Sequence, residues 1–133
     1  MGFIIRDFEK KDYPRLAAWW TAQNCLIPDE EFLPPTGLII ERDDIPMCAG
    51  FLFKTDAKIA IMNHIVANPE RVSSSVDRGL ALRMLIAALM DEARECKMKM
   101  VTAASNIEKL NQRYLSMGFF KSDSNESHFG RIL

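Results

Sequence analysis

Two rhythms divide the chain. Phe3 to Arg6 is a short strand-like run. Asp12 then offers a helix N-cap and Pro14 is tolerated in a first turn. Leu16, Ala17, Trp19 and Trp20 supply the apolar side of a first helix. From Cys25 to Gly37 the rhythm stops. Pro28, Pro34, Pro35 and the acidic run Asp29-Glu30-Glu31 predict a loop with at most a short helical turn. Strand-like runs follow at Leu38 to Arg42, Met47 to Lys54 and Lys58 to Ala67. Turn-like Asp43-Asp44-Ile45-Pro46 and Thr55-Asp56-Ala57 separate them, which predicts an antiparallel meander. Asn68-Pro69 ends it, because proline cannot extend a sheet interior.

The second half returns to the helical period. A loop from Glu70 to Asp77 leads to a helix from about Arg78 to Cys96. Leu82, Leu85, Ile86, Leu89 and Ala93 form its apolar stripe, and Leu80, Met84 and Ala88 widen it, as expected for a helix packed on a sheet. Met98 to Ala103 reads as a strand, Asn106 to Ser116 as a helix, and His128 to Leu133 as a last strand after the polar loop Lys121 to Ser127. The order βα, βββ, αβαβ predicts one α/β domain over residues 1–133, with no repeat and no linker.

Composition narrows the classes. A chain of 133 residues, 48% apolar and 26% charged, can bury a sizeable core. Its formal net charge of −1 gives no global field toward nucleic acid or an anionic membrane. Arg83, Asp91 and Glu92 exclude a membrane span for the longest helix. The N-terminus lacks the basic and apolar regions of a signal peptide. Cys25, Cys48 and Cys96 are sparse and odd in number, which suits reduced thiols in a cytoplasm. With only His64 and His128 to join them, no metal site is expected. The eight methionines read as adaptable core filling.

Chemistry concentrates between Ser73 and Phe119. Gly79-Leu80-Ala81 reads as a glycine-opened helix start, where free amides can meet an anion. Val66-Ala-Asn-Pro69 precedes it, and Asn106 to Tyr114-Leu-Ser-Met-Gly118-Phe119 follows. This combination resembles the GNAT superfamily of acyl-CoA-dependent N-acyltransferases. Trp20, Pro-Pro-Thr-Gly before the second strand and Val-Ala-Asn-Pro69 also look like small GNAT-like proteins of bacteriophages. The resemblance implies a mixed, mostly antiparallel central sheet flanked by helices and splayed where the acyl chain enters. It implies acetyl-CoA as cosubstrate, an amine on a small molecule or a protein as acceptor, and cytoplasmic location, in the host if phage-encoded. It also allows a homodimer.

Carried onto this chain, the resemblance implies that Ser74, Ser75, Arg78, Gly79, Leu80, Ala81 and Arg83 surround the pyrophosphate. Backbone groups of Ile65, Val66 and Ala67 would hold the pantetheine amides. Tyr114 would act as general acid to the leaving thiolate, and His64 as base or relay. The chain departs from the pattern in several places. Val76 stands where the family has Arg or Gln, and the serine loop is longer. Asn106 lies one residue too far upstream, Lys109 replaces a small residue, and no carboxylate lies between Asp56 and Glu70. From the residues alone, His64 is as readily a packed core histidine, and Tyr114 a packed ring bonding a backbone carbonyl. Trp19 and Trp20 read as core, and Asp29 to Glu31 as solvated or as the side that receives a cationic amine. The expected activity is direct acetyl transfer to an amine, with no covalent intermediate, since no cysteine looks activated. The rival is a GNAT-fold module that has lost turnover and serves binding or inhibition.

Overall fold

The structure is a computed structural model that describes residues 2–70, 74–105, 107–122 and 129–133. Five strands form one sheet in the order β1 (Phe3–Asp7), β2 (Thr36–Arg42), β3 (Ile45–Lys54), β4 (Ile59–Ala67) and β5 (Met100–Ala103). Neighbours are antiparallel except β4 and β5, which run parallel. Three helices flank the sheet: α1 (Tyr13–Ala22), α2 (Ser75–Glu95) and α3 (Glu108–Ser116). This is the mixed, mostly antiparallel α/β architecture expected from the chain order.

The period-2 alternation of the strands sends side chains to two separate cores. On one face, Leu38, Ile40, Cys48, Leu52, Ala60 and Met62 meet Ala81, Leu85, Ile86, Leu89 and Ala93 of α2, with Leu110 and Tyr114 of α3. On the other, Ile39, Ala49, Phe51 and Val66 meet Leu16, Trp19 and Trp20 of α1. The tryptophans are core residues, as their helical spacing predicts. Gly37 is needed for this second core, because an added Cβ would lie 2.5 Å from the Phe51 ring and 3.1 Å from Phe8 Cβ.

Several expected boundaries move. Asp12 caps α1 with its backbone position only. Its buried carboxylate accepts from both Arg6 Nη atoms at 2.8 and 2.9 Å and from the Glu9 amide at 2.8 Å. The Arg6 ion pair holds its pKa below the ordinary carboxylate value and ties β1 to the start of α1. The acidic run becomes a single 3-10 turn, Glu30–Phe32. α2 begins at Ser75, three residues before the expected Arg78, because Ser74 is a working N-cap whose Oγ accepts from the Asp77 amide at 3.1 Å. α3 begins at Glu108, and Asn106 lies outside the described residues. Of the expected last strand, His128 also lies outside them, and Phe129, Ile132 and Leu133 are exposed and in no strand.

Candidate active site

The site is made by an irregularity in β4. Ala49 pairs with Val66 and Phe51 with Asn63, so two residues, His64 and Ile65, oppose Gly50 alone. This is a β-bulge, and His64 takes the extra turn with a left-handed φ of 56°. The Asn63 side chain steadies it, its Oδ1 accepting from the His64 amide at 2.8 Å. One inserted residue flips the faces of everything beyond it. Before the bulge, Ala60 and Met62 face α2; after it Ile65 and Ala67 do, and Val66 turns to the α1 core.

The bulge also ends the partnership with β5. The parallel register stops at Met62 opposite Ala103, while β4 continues to Ala67. Between the parted chains opens a cleft of about 160 Å³. Asn63, His64 and Ile65 line it from β4, Trp20 and Cys25 from the α1 side, and Leu110 and Tyr114 from α3. The two residues expected to carry chemistry thus meet in one cavity. No carboxylate is among its described lining residues. The acidic residues Asp29 to Glu31 are not among them either, so the structure does not place that run as an acceptor wall.

Tyr114 is positioned by the end of its own helix. Gly118, at φ 93°, closes α3 as a Schellman cap: the Gly118 amide donates to the Leu115 carbonyl at 3.2 Å and Phe119 to Tyr114 at 3.1 Å. The same cap lays the Phe119 ring against Tyr114, with centroids 5.0 Å apart. The spacing Tyr-x-x-x-Gly-Phe therefore has a local meaning, fixing the phenol by a turn and a ring contact. Tyr114 is 8% exposed, yet its hydroxyl hydrogen-bonds no described residue. Burial pushes the phenol up to about 12. It stays protonated throughout the neutral range and is a weaker acid than an ordinary tyrosine.

His64 sits edge-on to Trp20, Phe51 and Phe53, with ring centroids 5.9 to 6.4 Å away. Burial lowers its pKa below the ordinary 6.5, so the imidazole is neutral at neutral pH. Neither ring nitrogen hydrogen-bonds a described residue. Both chemical side chains are thus held by ring contacts and left with their polar atoms unspent. Cys48 lies in the core with its thiol pushed up to about 12 by burial, which makes it inert.

The expected phosphate-binding residues are only partly brought together. Because α2 starts at Ser75, Gly79 and Ala81 lie in its second turn and do not supply the free first-turn amides. Those belong to Ser75 and Val76, since the Asp77 amide is capped by Ser74. Ala81 is fully buried against the sheet, so its small size serves packing. Leu80 and Val76 are exposed, Val76 at 68%. Asp77 is paired with Arg42 at 2.6 Å, and Arg83 donates to Ser116 Oγ on α3 at 3.3 Å. Arg78, the fourth residue of α2, is half-buried. On β4 the Asn68 amide donates to the Met47 carbonyl at 2.8 Å, which makes Ala49 and Val66 a hydrogen-bonded pair. Val66 therefore spends its backbone on β3, whereas Ala67 turns its groups away from β3. The Ala67 carbonyl accepts from Gln23 Nε2 at 2.6 Å.

Sequence reasoning missed Arg113, Gln23, Cys25 and Leu110 in this region. Leu110 was readable as one helical turn before Tyr114. The others reach the site through tertiary packing and left no local signal. Among the described residues no group of three or more His, Cys, Asp or Glu could hold a metal ion. None of the described helices is long and apolar enough to cross a membrane.

No protein-family model and no curated protein matches the chain. Solved structures do. One is N-acetylglutamate synthase from Neisseria gonorrhoeae complexed with coenzyme A and L-arginine, at TM-score 0.73 and 20% identity over 96% of this chain. The chain spans only 29% of that protein's length. A second is glucosamine-6-phosphate N-acetyltransferase from Arabidopsis thaliana, at TM-score 0.67 and 15% identity over 97% of this chain and 99% of that one. A third is AAC(6')-Iy in complex with a bisubstrate analog, CoA-S-monomethyl-acetylneamine, at TM-score 0.69 and 13% identity, covering 99% of this chain and all of that one. These likenesses carry one conclusion: the chain has the fold of the GNAT acetyltransferases.

Proposed function

We propose that the protein is an acetyl-CoA-dependent N-acetyltransferase that passes an acetyl group directly to an amine. The observation that carries this reading is the unspent hydroxyl of Tyr114, which lines a cleft that it shares with His64. The hydroxyl is open to the cleft and is not sealed in the core, so a ligand atom there could take up its hydrogen bond. The structural neighbours bound to CoA or a CoA analog support the choice of cosubstrate.

In the reaction the amine nitrogen attacks the thioester carbonyl and the carbon–sulfur bond breaks. The nitrogen gives up a proton and the sulfur gains one. Neutral His64 can accept the first proton, directly or through water. Tyr114 stands at the leaving side. With its pKa near 12, outright proton transfer to a thiolate of ordinary pKa, about 8.5, is uphill. Its role is then a hydrogen bond to the developing negative charge, which strengthens as the bond breaks. Ala67 and the residues around it offer backbone groups for the amides of the pantetheine arm, once Gln23 yields the Ala67 carbonyl. Ser75 and Val76 offer first-turn amides for the pyrophosphate. A small-molecule or protein amine serves as acceptor.

One observation favours a second reading, a module that binds acyl-CoA without turnover. The cleft's described lining holds no carboxylate, and His64 is the base among those residues. Release of free thiol from acetyl-CoA, followed with a broad panel of amines, separates the two. Amine-dependent thiol release supports the enzyme, and saturable CoA binding without release at any amine supports the module.

A further inference from the structure

The seam between α2 and α3 contains an arginine that no part of the fold employs. Arg113 lies one residue before Tyr114, and its guanidinium rests over Gly79: an added Cβ there would be 3.0 Å from one Nη and 3.8 Å from the other. The Nε is buried and has no hydrogen-bond partner. Among the described residues no carboxylate pairs with Arg113. A guanidinium carries five donors and its charge at any ordinary pH. Burying part of it unpaired is costly, so its placement is a poor choice for stability alone. Gly79 is what makes the placement possible. A side chain at that position would make the guanidinium give way by a few tenths of an ångström.

The position is suggestive because of what lies one turn away. Ser75, Gly79 and Arg83 follow one another at helical spacing on a single face of α2. The free amides of the first turn open this stripe, and Arg113 covers its middle, about 5.4 Å further along the axis. The exposed Val76 brings no charge to that end, and Asp77 there is already neutralised by Arg42. The helix end alone is therefore a weak anion site, and the unpaired cation nearby is what would complete it. We propose that Arg113 is the principal cationic ligand of the phosphate groups of CoA, reaching them across Gly79. This rests on the acyl-CoA reading above and sets a cation of α3 beside Arg78 of the first turn of α2. Arg113 adjoins Tyr114, so phosphate binding and the thioester end are set by the same helix.

The test compares CoA with pantetheine, which shares the thiol arm but carries no phosphate. Arg113→Met keeps the apolar stem and removes the charge; Arg113→Lys keeps a charge without the planar fork. Binding is read by calorimetry for CoA and by ligand-induced thermal stabilisation for pantetheine at millimolar concentration. A charged hydrogen bond of this kind corresponds to about 10–100-fold in affinity. Arg113→Met should weaken CoA binding by that factor and leave the pantetheine response unchanged, while Arg113→Lys recovers part of the loss. Equal weakening of both ligands would show that Arg113 only holds the helices together, and unchanged CoA affinity would show that it touches no phosphate; either result overturns the proposal. If wild-type protein binds pantetheine but gains nothing from the phosphates of CoA, the Arg113 role is wrong while the site reading survives. If it binds neither, both are wrong.

Discussion

Replacing Tyr114 by phenylalanine isolates one oxygen atom. The ring keeps its contact with Phe119 and its place in the core, and the hydroxyl that bonds no described residue is lost. The hydroxyl faces the cleft and is not sealed in the core, so its removal is close to neutral for folding and stability at pH 7 should change by no more than about 0.5 kcal/mol. Alkaline pH should expose the group. Its folded pKa is raised from 10.0 to about 12 by burial, so the folded protein holds the proton after the unfolded chain has released it. Stability is therefore complete below pH 10 and is lost as the pH rises toward 12, by about 2–3 kcal/mol. Urea melts at pH 7, 9 and 11 should show this loss in the wild type and its reduction in Tyr114→Phe. Turnover should respond differently. A group acting only in the transition state contributes about 10²–10⁴-fold, so kcat should drop steeply while acetyl-CoA affinity stays the same. Full turnover in Tyr114→Phe would refute the chemical role. A loss well above about 1 kcal/mol at pH 7 would show that the hydroxyl has a structural partner.

Three further outcomes follow from the geometry. Gly79→Glu should keep or slightly raise stability, since glycine is a poor helix former by about 1 kcal/mol, yet weaken CoA binding. The new carboxylate arises beside the Arg113 guanidinium and captures it; unchanged CoA affinity in a folded variant contradicts this. His64 has a lowered pKa in the fold, so the unfolded chain takes up its proton first. Stability should fall as the pH drops below 6.5. The slope should be shallower in His64→Asn, which tolerates the left-handed backbone; identical acid slopes would mean that the imidazole is not buried in solution. Gly37→Ala places a methyl group 2.5 Å from the fully buried Phe51 ring and should cost about 1–3 kcal/mol in chemical denaturation, whereas an unchanged midpoint would contradict the packing of that core.

The strands and helices of the core were legible because each has one buried face, and burial writes its period into the chain. Trp19 and Trp20, the meander and the stripe Leu85, Ile86, Leu89 all follow from that rule. The start of α2 was misplaced because Ser74, Ser75 and Val76 carry no apolar period. An N-cap serine there looks like any loop serine until its hydroxyl is seen to accept from Asp77. The bulge left a faint trace, the polar pair Asn63-His64 inside a strand whose even-numbered residues had been apolar. A consistent alternation would have put Val66 on the same face as Met62, and the structure puts it on the opposite one. Arg113 was invisible because its partner, Gly79, is absent side-chain volume on another helix. Phe129 to Leu133 reads as a strand by composition, but a strand needs a neighbour to pair with, and those residues have none among the described ones.

Direct titration tests whether this fold holds a working acyl-CoA site. Calorimetry of the wild-type protein with acetyl-CoA, CoA and pantetheine should give saturable one-to-one binding to acetyl-CoA and CoA. CoA should bind more tightly than pantetheine, because the helix start and Arg113 add their contacts to the phosphates. A flat titration with acetyl-CoA at millimolar concentration would contradict the account and leave the protein with the fold of an acetyltransferase but not its ligand.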